Sequence, residues 1–308
     1  HICQHLPEIV VKVAEHQWLV PHSQRREEYY SHDIEQYFDL NHSYDLEYFP
    51  ASALQGPFFT LLQYHPEIGL NLILKLANHA TEGYINSTLD KDSADEPVKV
   101  KVILNDNTAI EQWGSERLWS LYRGTHVGPH VLVSALMALE SWLLRLAESN
   151  KDISNYFDRL LKETNSVAVT SVLVSLALAY LQTLKERCLP LLRTKEFFRW
   201  DLIRQHRDMS HFGDIRASLG IPTGGMDDVY YNERKESDKK KHRQYNLESL
   251  SLSLQLAQLK DDVQRIIDEY HHQIPPIKQQ SELDKTWRIA LKRMDLREYK
   301  IEAPKDSA

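Results

Sequence analysis

The run VAVTSVLVSLALAYL, from Val167 to Leu181, constrains the fold more than any other stretch of the chain. It carries no charged residue. A helix built from it is apolar nearly all round, so neighbouring elements must enclose it. It is shorter than the roughly 20 residues that a membrane-spanning helix needs, and Thr170, Ser171 and Ser175 interrupt it. We read it as a central buried helix and expect no membrane span.

Other helices are legible around it. LPEIVVKVAEHQWL opens with Pro7 at a position where its missing N–H has no partner to lose, and Leu6, Val10, Val13 and Trp18 fall near one face. A short helix is predicted over 33–38. Two more are predicted over 51–64 and 66–86. The second of these begins PEIGLNLILKLANH, an echo of PEIVVKVAEH that points to stacked helical repeats. Leu132, Leu136, Leu139, Leu143 and Leu146 recur at alternating steps of four and three inside a helix predicted over 127–147. Ser115 caps a short helix that Gly124 stops. Asp152 opens a helix over 153–163, and another spans 195–209. Asn246 caps a pattern that continues to His271, and Ser281 with Asp284 opens the last helix. One segment breaks the helical period: VKVKVIL alternates strictly, NDN turns the chain, and TAIEQW returns. This predicts a single β-hairpin near 98–113, with Val98, Val100 and Val102 inward and Lys99 and Lys101 in water.

The expected fold is mainly α, a stacked helical-repeat-like array with one inserted β-hairpin. The 10 glycines and 12 prolines are too few for the tight turns of an all-β protein. The expected organisation is a helical core over 1–209 that includes the hairpin, a connector and charged loop over 210–245, and C-terminal helices with a linking arm over 246–308. A formal charge of −7 argues against a general nucleic-acid binder. Cys3 and Cys188 are the only cysteines, which fits a reducing, cytoplasmic setting better than a disulfide framework.

No motif assembles a complete active site. His126 and His130 have a helical ligand spacing, but Gly128 and Pro129 lie between them and the glutamate of a zinc HExxH motif is missing. His32-Asp33 suits an all-helical metal phosphohydrolase only with further ligands that the sequence does not place. HRDMSHFGD has Gly213 where a kinase catalytic loop needs Asn, and no phosphate-binding glycine loop occurs. The run KKKHR offers phosphate contacts. Glu236 and Asp238 dilute it, however, and no aromatic residue is interleaved, so it reads as a solvated loop. Catalytic, cofactor and metal residues are accordingly expected to be none. Glu140 stands out differently. It sits among Leu136, Met137, Leu143 and Leu144, where a carboxylate needs a partner, and Arg123 at the end of the preceding helix is the expected one.

The stretches LWSLYRGTHVGPHVLVSALMALESWLL, NSVAVTSVLVSLALAYL, LPLLRTKEFFRWDLIR and TWRIALKRMDLREY resemble helical regions of very large bacterial NTPases, the signal-sensing STAND-type ATPases of antiphage defence. The resemblance covers roughly Ala51 to Tyr299. It implies a non-enzymatic scaffold or sensor portion whose partners are proteins or sister domains of a larger parent chain. The nucleotide engine then lies elsewhere in the parent, and oligomers form through it. The rival expectations are an all-helical metal-dependent hydrolase and a nucleic-acid contact through the basic loop.

Overall fold

The computed structural model describes residues 1–22, 33–41, 48–210 and 227–299. The chain starts with one helical turn, α1 (Ile2–His5), and α2 (Pro7–Trp18), with Pro7 in the first helical turn. The buried face of α2 carries Pro7, Ala14 and Trp18, while Leu6 and Val13 point outward, unlike the face read from the sequence. A 3-10 turn at Ile34–Phe38 follows, where a short helix is expected. Then come α3 (Phe58–Tyr64) and α4 (Pro66–Ile85). Residues 51–57 are turns rather than the start of α3. Ser52 Oγ accepts from Leu54 N at 3.3 Å, and Gly56 has a φ of +73°, so local side-chain bonding and a left-handed residue displace the helix.

The hairpin is β1 (Val98–Ile103) and β2 (Ala109–Gly114), antiparallel, with Val98 opposite Gly114 and Ile103 opposite Ala109. Asn107 takes the left-handed position that a tight turn requires. Val100 and Val102 are buried, and Val98 at the open end is exposed. Both edges are tied down. Trp113 N donates to Asn165 O at 2.7 Å, and Thr194 Oγ1 donates to Lys101 O at 3.1 Å.

Beyond the hairpin lie α5 (Glu116–Ser120), which runs on as a 3-10 turn at Leu121–Arg123, then α6 (His130–Glu148) and α7 (Ser154–Glu163). Ser115 Oγ accepts from Leu118 N at 3.2 Å, and Gly124 ends the turn at a φ of +61°. Next are α8 (Val167–Ala179), α9 (Leu181–Leu184), α10 (Leu189–Leu192) and α11 (Lys195–Ser210). α8 is capped by Ser166, is buried from Val167 to Ala177, and turns by about 102° at Tyr180. α12 (Asp227–Asp238) leads to a 3-10 turn at Lys241–Gln244. Part of the segment read as a charged loop is therefore helical; residues 211–226 lie outside the described set.

The last elements are α13 (Leu247–Leu256), α14 (Lys260–Gln273) and α15 (Glu282–Met294). Asn246 caps α13, but the pattern after it is two helices, divided where Gln258 takes a φ of +76°. The protein is mainly α-helical with one inserted hairpin. α8 packs against α5, α6, α7 and α13, which enclose it as its composition demands. α6 is long and apolar enough to cross a membrane by length and composition, and most of it is buried inside the protein. One buried cluster runs from Ala14 to Met294, so α13–α15 share the core of the earlier helices. Trp287 of α15 meets Phe198 and Tyr270 edge-on, at 5.3 and 5.1 Å between ring centroids.

Candidate functional site

The densest chemistry is a buried chain of arginines and carboxylates between α5, α6, α8, α11 and α12. Glu140 projects from the middle of α6 and is 3% exposed. Its carboxylate is gripped at both oxygens by Arg243, Nη1 to Oε1 at 2.9 Å and Nη2 to Oε2 at 2.7 Å. This two-pronged geometry gives the strongest kind of side-chain hydrogen bonding. Burial opposes the charge on Glu140, but Arg243 outweighs it and holds the carboxyl down at about 2. The expected partner, Arg123, is engaged elsewhere. Its Nε donates to Asp208 at 2.8 Å and its Nη2 to Asp238 at 2.6 Å. Arg123 stands at the end of the 3-10 turn that precedes Gly124. From there it meets α11 and α12, while the turn at Lys241–Gln244 delivers Arg243 to Glu140.

The network continues through α11. Asp201, Arg204 and Asp208 share one helix face at steps of three and four. Arg204 Nε donates to Asp201 at 2.9 Å and Nη1 to Asp208 at 3.1 Å. Arg204 also holds the backbone around Arg243, donating to Arg243 O at 2.9 Å and Tyr245 O at 2.6 Å. Asp201 accepts from Trp119 Nε1 at 3.2 Å and from Leu247 N at 2.9 Å, which fixes the start of α13. On α12, Glu233 accepts from Ser52 Oγ at 2.6 Å and Ala53 N at 3.0 Å. The segment 227–245 is thus fastened at Glu233, Asp238 and Arg243 to three distant parts of the chain.

Ser175, His242 and Glu140 have the residue types of a nucleophilic triad, but their bonding is different. Ser175 Oγ donates to Glu140 and lies 3.0 Å from His242 Nε2. With the hydroxyl proton committed to the carboxylate, His242 Nε2 carries hydrogen and donates to Ser175 Oγ. Burial and the neighbouring Arg243 push His242 down to about 3, so the ring is neutral. A histidine that donates to the serine has no lone pair there to accept its proton. The arrangement orients groups rather than activating a nucleophile.

A second polar cluster surrounds Arg117. It grips Asp90, Nε to Oδ2 at 2.6 Å and Nη2 to Oδ1 at 3.0 Å, and Tyr84 donates to Asp90 at 2.7 Å. Arg117 Nη1 donates to His126 Nδ1 at 3.0 Å and Val127 O at 2.7 Å. Burial, then Arg117, lowers His126 to about 4. His130 instead sits edge-on to Phe49, with 5.3 Å between ring centroids. The spacing of His126 and His130 therefore does not yield a ligand pair, because Arg117 occupies the His126 nitrogen. Among the described residues no group of three or more side chains is arranged to hold a metal. His32 lies outside them.

Sequence reasoning missed Arg243 and His242, which sit in the run read as solvated. The signal available was the acid–arginine–acid spacing of Asp201, Arg204 and Asp208 beside Phe197 and Trp200, which marks a face that is both apolar and charged. No protein-family model matches this chain, and no curated protein matches it.

Proposed function

We propose that this chain is a non-enzymatic helical scaffold or sensor portion of a larger intracellular NTPase of the STAND type, acting by protein–protein or interdomain binding. The observation that carries the reading is an outward apolar patch on α1 and α2. Ile9 and Val13, one turn apart on α2, are 53 and 48% exposed, and Ile2 on α1 and Leu6 at the break between the two helices are 64 and 49% exposed. Isolated surface apolar residues mean little, whereas several gathered on neighbouring short helices form the kind of patch that docks a partner. The other face of α2 is packed through Ala14 and Trp18, so the patch is held in place for a partner.

Amide hydrogen exchange tests this. α2 should be more protected in the full-length parent than in the isolated chain, and Ile9→Glu with Val13→Glu should remove that difference. Equal exchange in both proteins would count against binding through this face. The hydrolase alternative has its own test. It requires stoichiometric metal in the purified chain and turnover of a phosphate ester that His32→Ala or His126→Ala abolishes.

A further inference from the structure

Beside the buried network, a surface pocket of about 530 Å³ opens between α6, the end of α8 and the turn before α13. That volume lies within the range of roughly 300–1,000 Å³ typical of small-molecule sites. Its lining combines three kinds of group. Lys240 and Lys241 bring two ammonium groups that make no ion pair among the described residues. Tyr180 and Tyr245 bring aromatic rings, beside an apolar wall that includes Leu144 and Leu178. Glu148 and His242 complete the polar part of the lining. His242 donates through Nε2 to Ser175, so its neutral ring keeps Nδ1 as an acceptor.

These groups select a ligand by chemistry. A bare inorganic anion answers the lysines and leaves the rings and the apolar wall in water. A purely apolar ligand strips water from two charged amines without replacing it. A phosphate joined to a planar, donor-bearing ring answers all three. Its phosphate meets the ammonium groups, its base stacks on tyrosine, and its amino or ribose hydroxyl groups donate to Glu148 and His242. The run KKKHR shows no aromatic residue within it. The fold supplies them, because the bend at Tyr180 and the entry to α13 at Tyr245 bring both rings to the same pocket as Lys240 and Lys241. The chain's net charge of −7 disfavours broad attraction to nucleic acid, and a pocket for one nucleotide needs only local charge.

We propose that this pocket binds a nucleotide, free or at the end of a single strand, with Lys240 and Lys241 on its phosphate and a tyrosine ring on its base. The inference is independent of the apolar patch on α1 and α2. It is tested by titrating the full chain with AMP, ATP, inorganic pyrophosphate and a 5′-phosphorylated hexanucleotide, following binding by calorimetry. Saturable binding of a nucleotide or the hexanucleotide is expected, at least tenfold weaker in Lys240→Gln/Lys241→Gln and about fivefold or more weaker in Tyr245→Ala, in line with the loss of one base–aromatic stack. Tyr245 is 51% exposed, so its replacement tests the pocket without disturbing the core. Tighter binding of the hexanucleotide than of AMP assigns the ligand to strand ends, and the reverse assigns it to free nucleotides. Absence of binding, equal affinity in both variants, or pyrophosphate binding as tightly as ATP would overturn the proposal.

Discussion

Removing the Glu140 carboxylate leaves Arg243 with a buried guanidinium and no anion on its two inner nitrogens. Breaking such a pair from one side is costly because the remaining charge stays desolvated, and we expect Glu140→Ala to lower stability by about 3–5 kcal/mol. Urea unfolding measures this, and a loss below about 0.5 kcal/mol, the size of an ordinary surface substitution, contradicts the buried pair. A double-mutant cycle locates the partner. Coupling of Glu140 to Arg243 should exceed its coupling to Arg123, which touches Asp208 and Asp238 instead. The need for a partner was legible in the sequence, because a lone carboxylate stands in a stripe of leucines. The identity of the partner was not. Arg243 is 103 residues away, at the end of a lysine run, and only the fold brings it back. Arg123 was close in sequence, but proximity along the chain does not set the direction of a side chain.

Local signals placed most elements because their causes are local. Ser115, Ser166 and Asn246 cap helices with their own side-chain oxygens. Ser281 and Asp284 form a reciprocal capping box, and strict alternation gave the hairpin. The failures combine local and tertiary causes. Residues 51–57 read as helix, but Gly56 is left-handed and Glu233 from α12 holds Ser52 and Ala53 in turns, while α12 reads as a charged loop because its ties at Glu233 and Asp238 are polar and carry no apolar period. Close approach between elements was equally invisible. A Cβ at Gly83 on α4 would run into the backbone of Phe38 and Asp39 in the 3-10 turn, and backbone cannot swing aside as a side-chain tip does. In an open helix Gly→Ala gains up to about 1 kcal/mol. At Gly83 the clash should reverse the sign, with Gly83→Ala destabilising by about 1–3 kcal/mol, the usual cost of overpacking. A thermal melt decides it. A melting temperature at or above that of the parent protein would show a gap between α4 and the turn.

Across the whole molecule, buried titratable groups set how stability follows pH. His242 is lowered to about 3 and His126 to about 4, so each contributes stability that is fully present above the unfolded value of 6.5 and is lost as pH falls toward its folded value. Glu140, lowered to about 2, contributes stability that is present above its ordinary 4.5 and is lost below it. Asp95 has the opposite sign. Burial raises it from 3.8 to about 6, so its contribution is greatest below 3.8 and is lost as pH rises toward 6. Between pH 6.5 and 4.5 the unfolded chain therefore binds more protons at these two histidines and at His79, which burial also lowers, and Asp95 offsets one of the three below about 6. Stability should decline through this window and decline more steeply below 4.5, where Glu140 joins. His242 is the most enclosed of the histidines involved, and its share alone is on the order of 2 kcal/mol between pH 7 and 5, at about 1.4 kcal/mol per pH unit below 6.5. His242→Gln keeps a nitrogen donor near Ser175 and removes the titration. Urea unfolding from pH 7 to 4 should give a flatter profile for this variant than for the parent protein. Parallel profiles would mean that His242 is protonated without resistance, and that the hydrogen bond from its ring to Ser175 does not hold the turn at Lys241–Gln244 against the core.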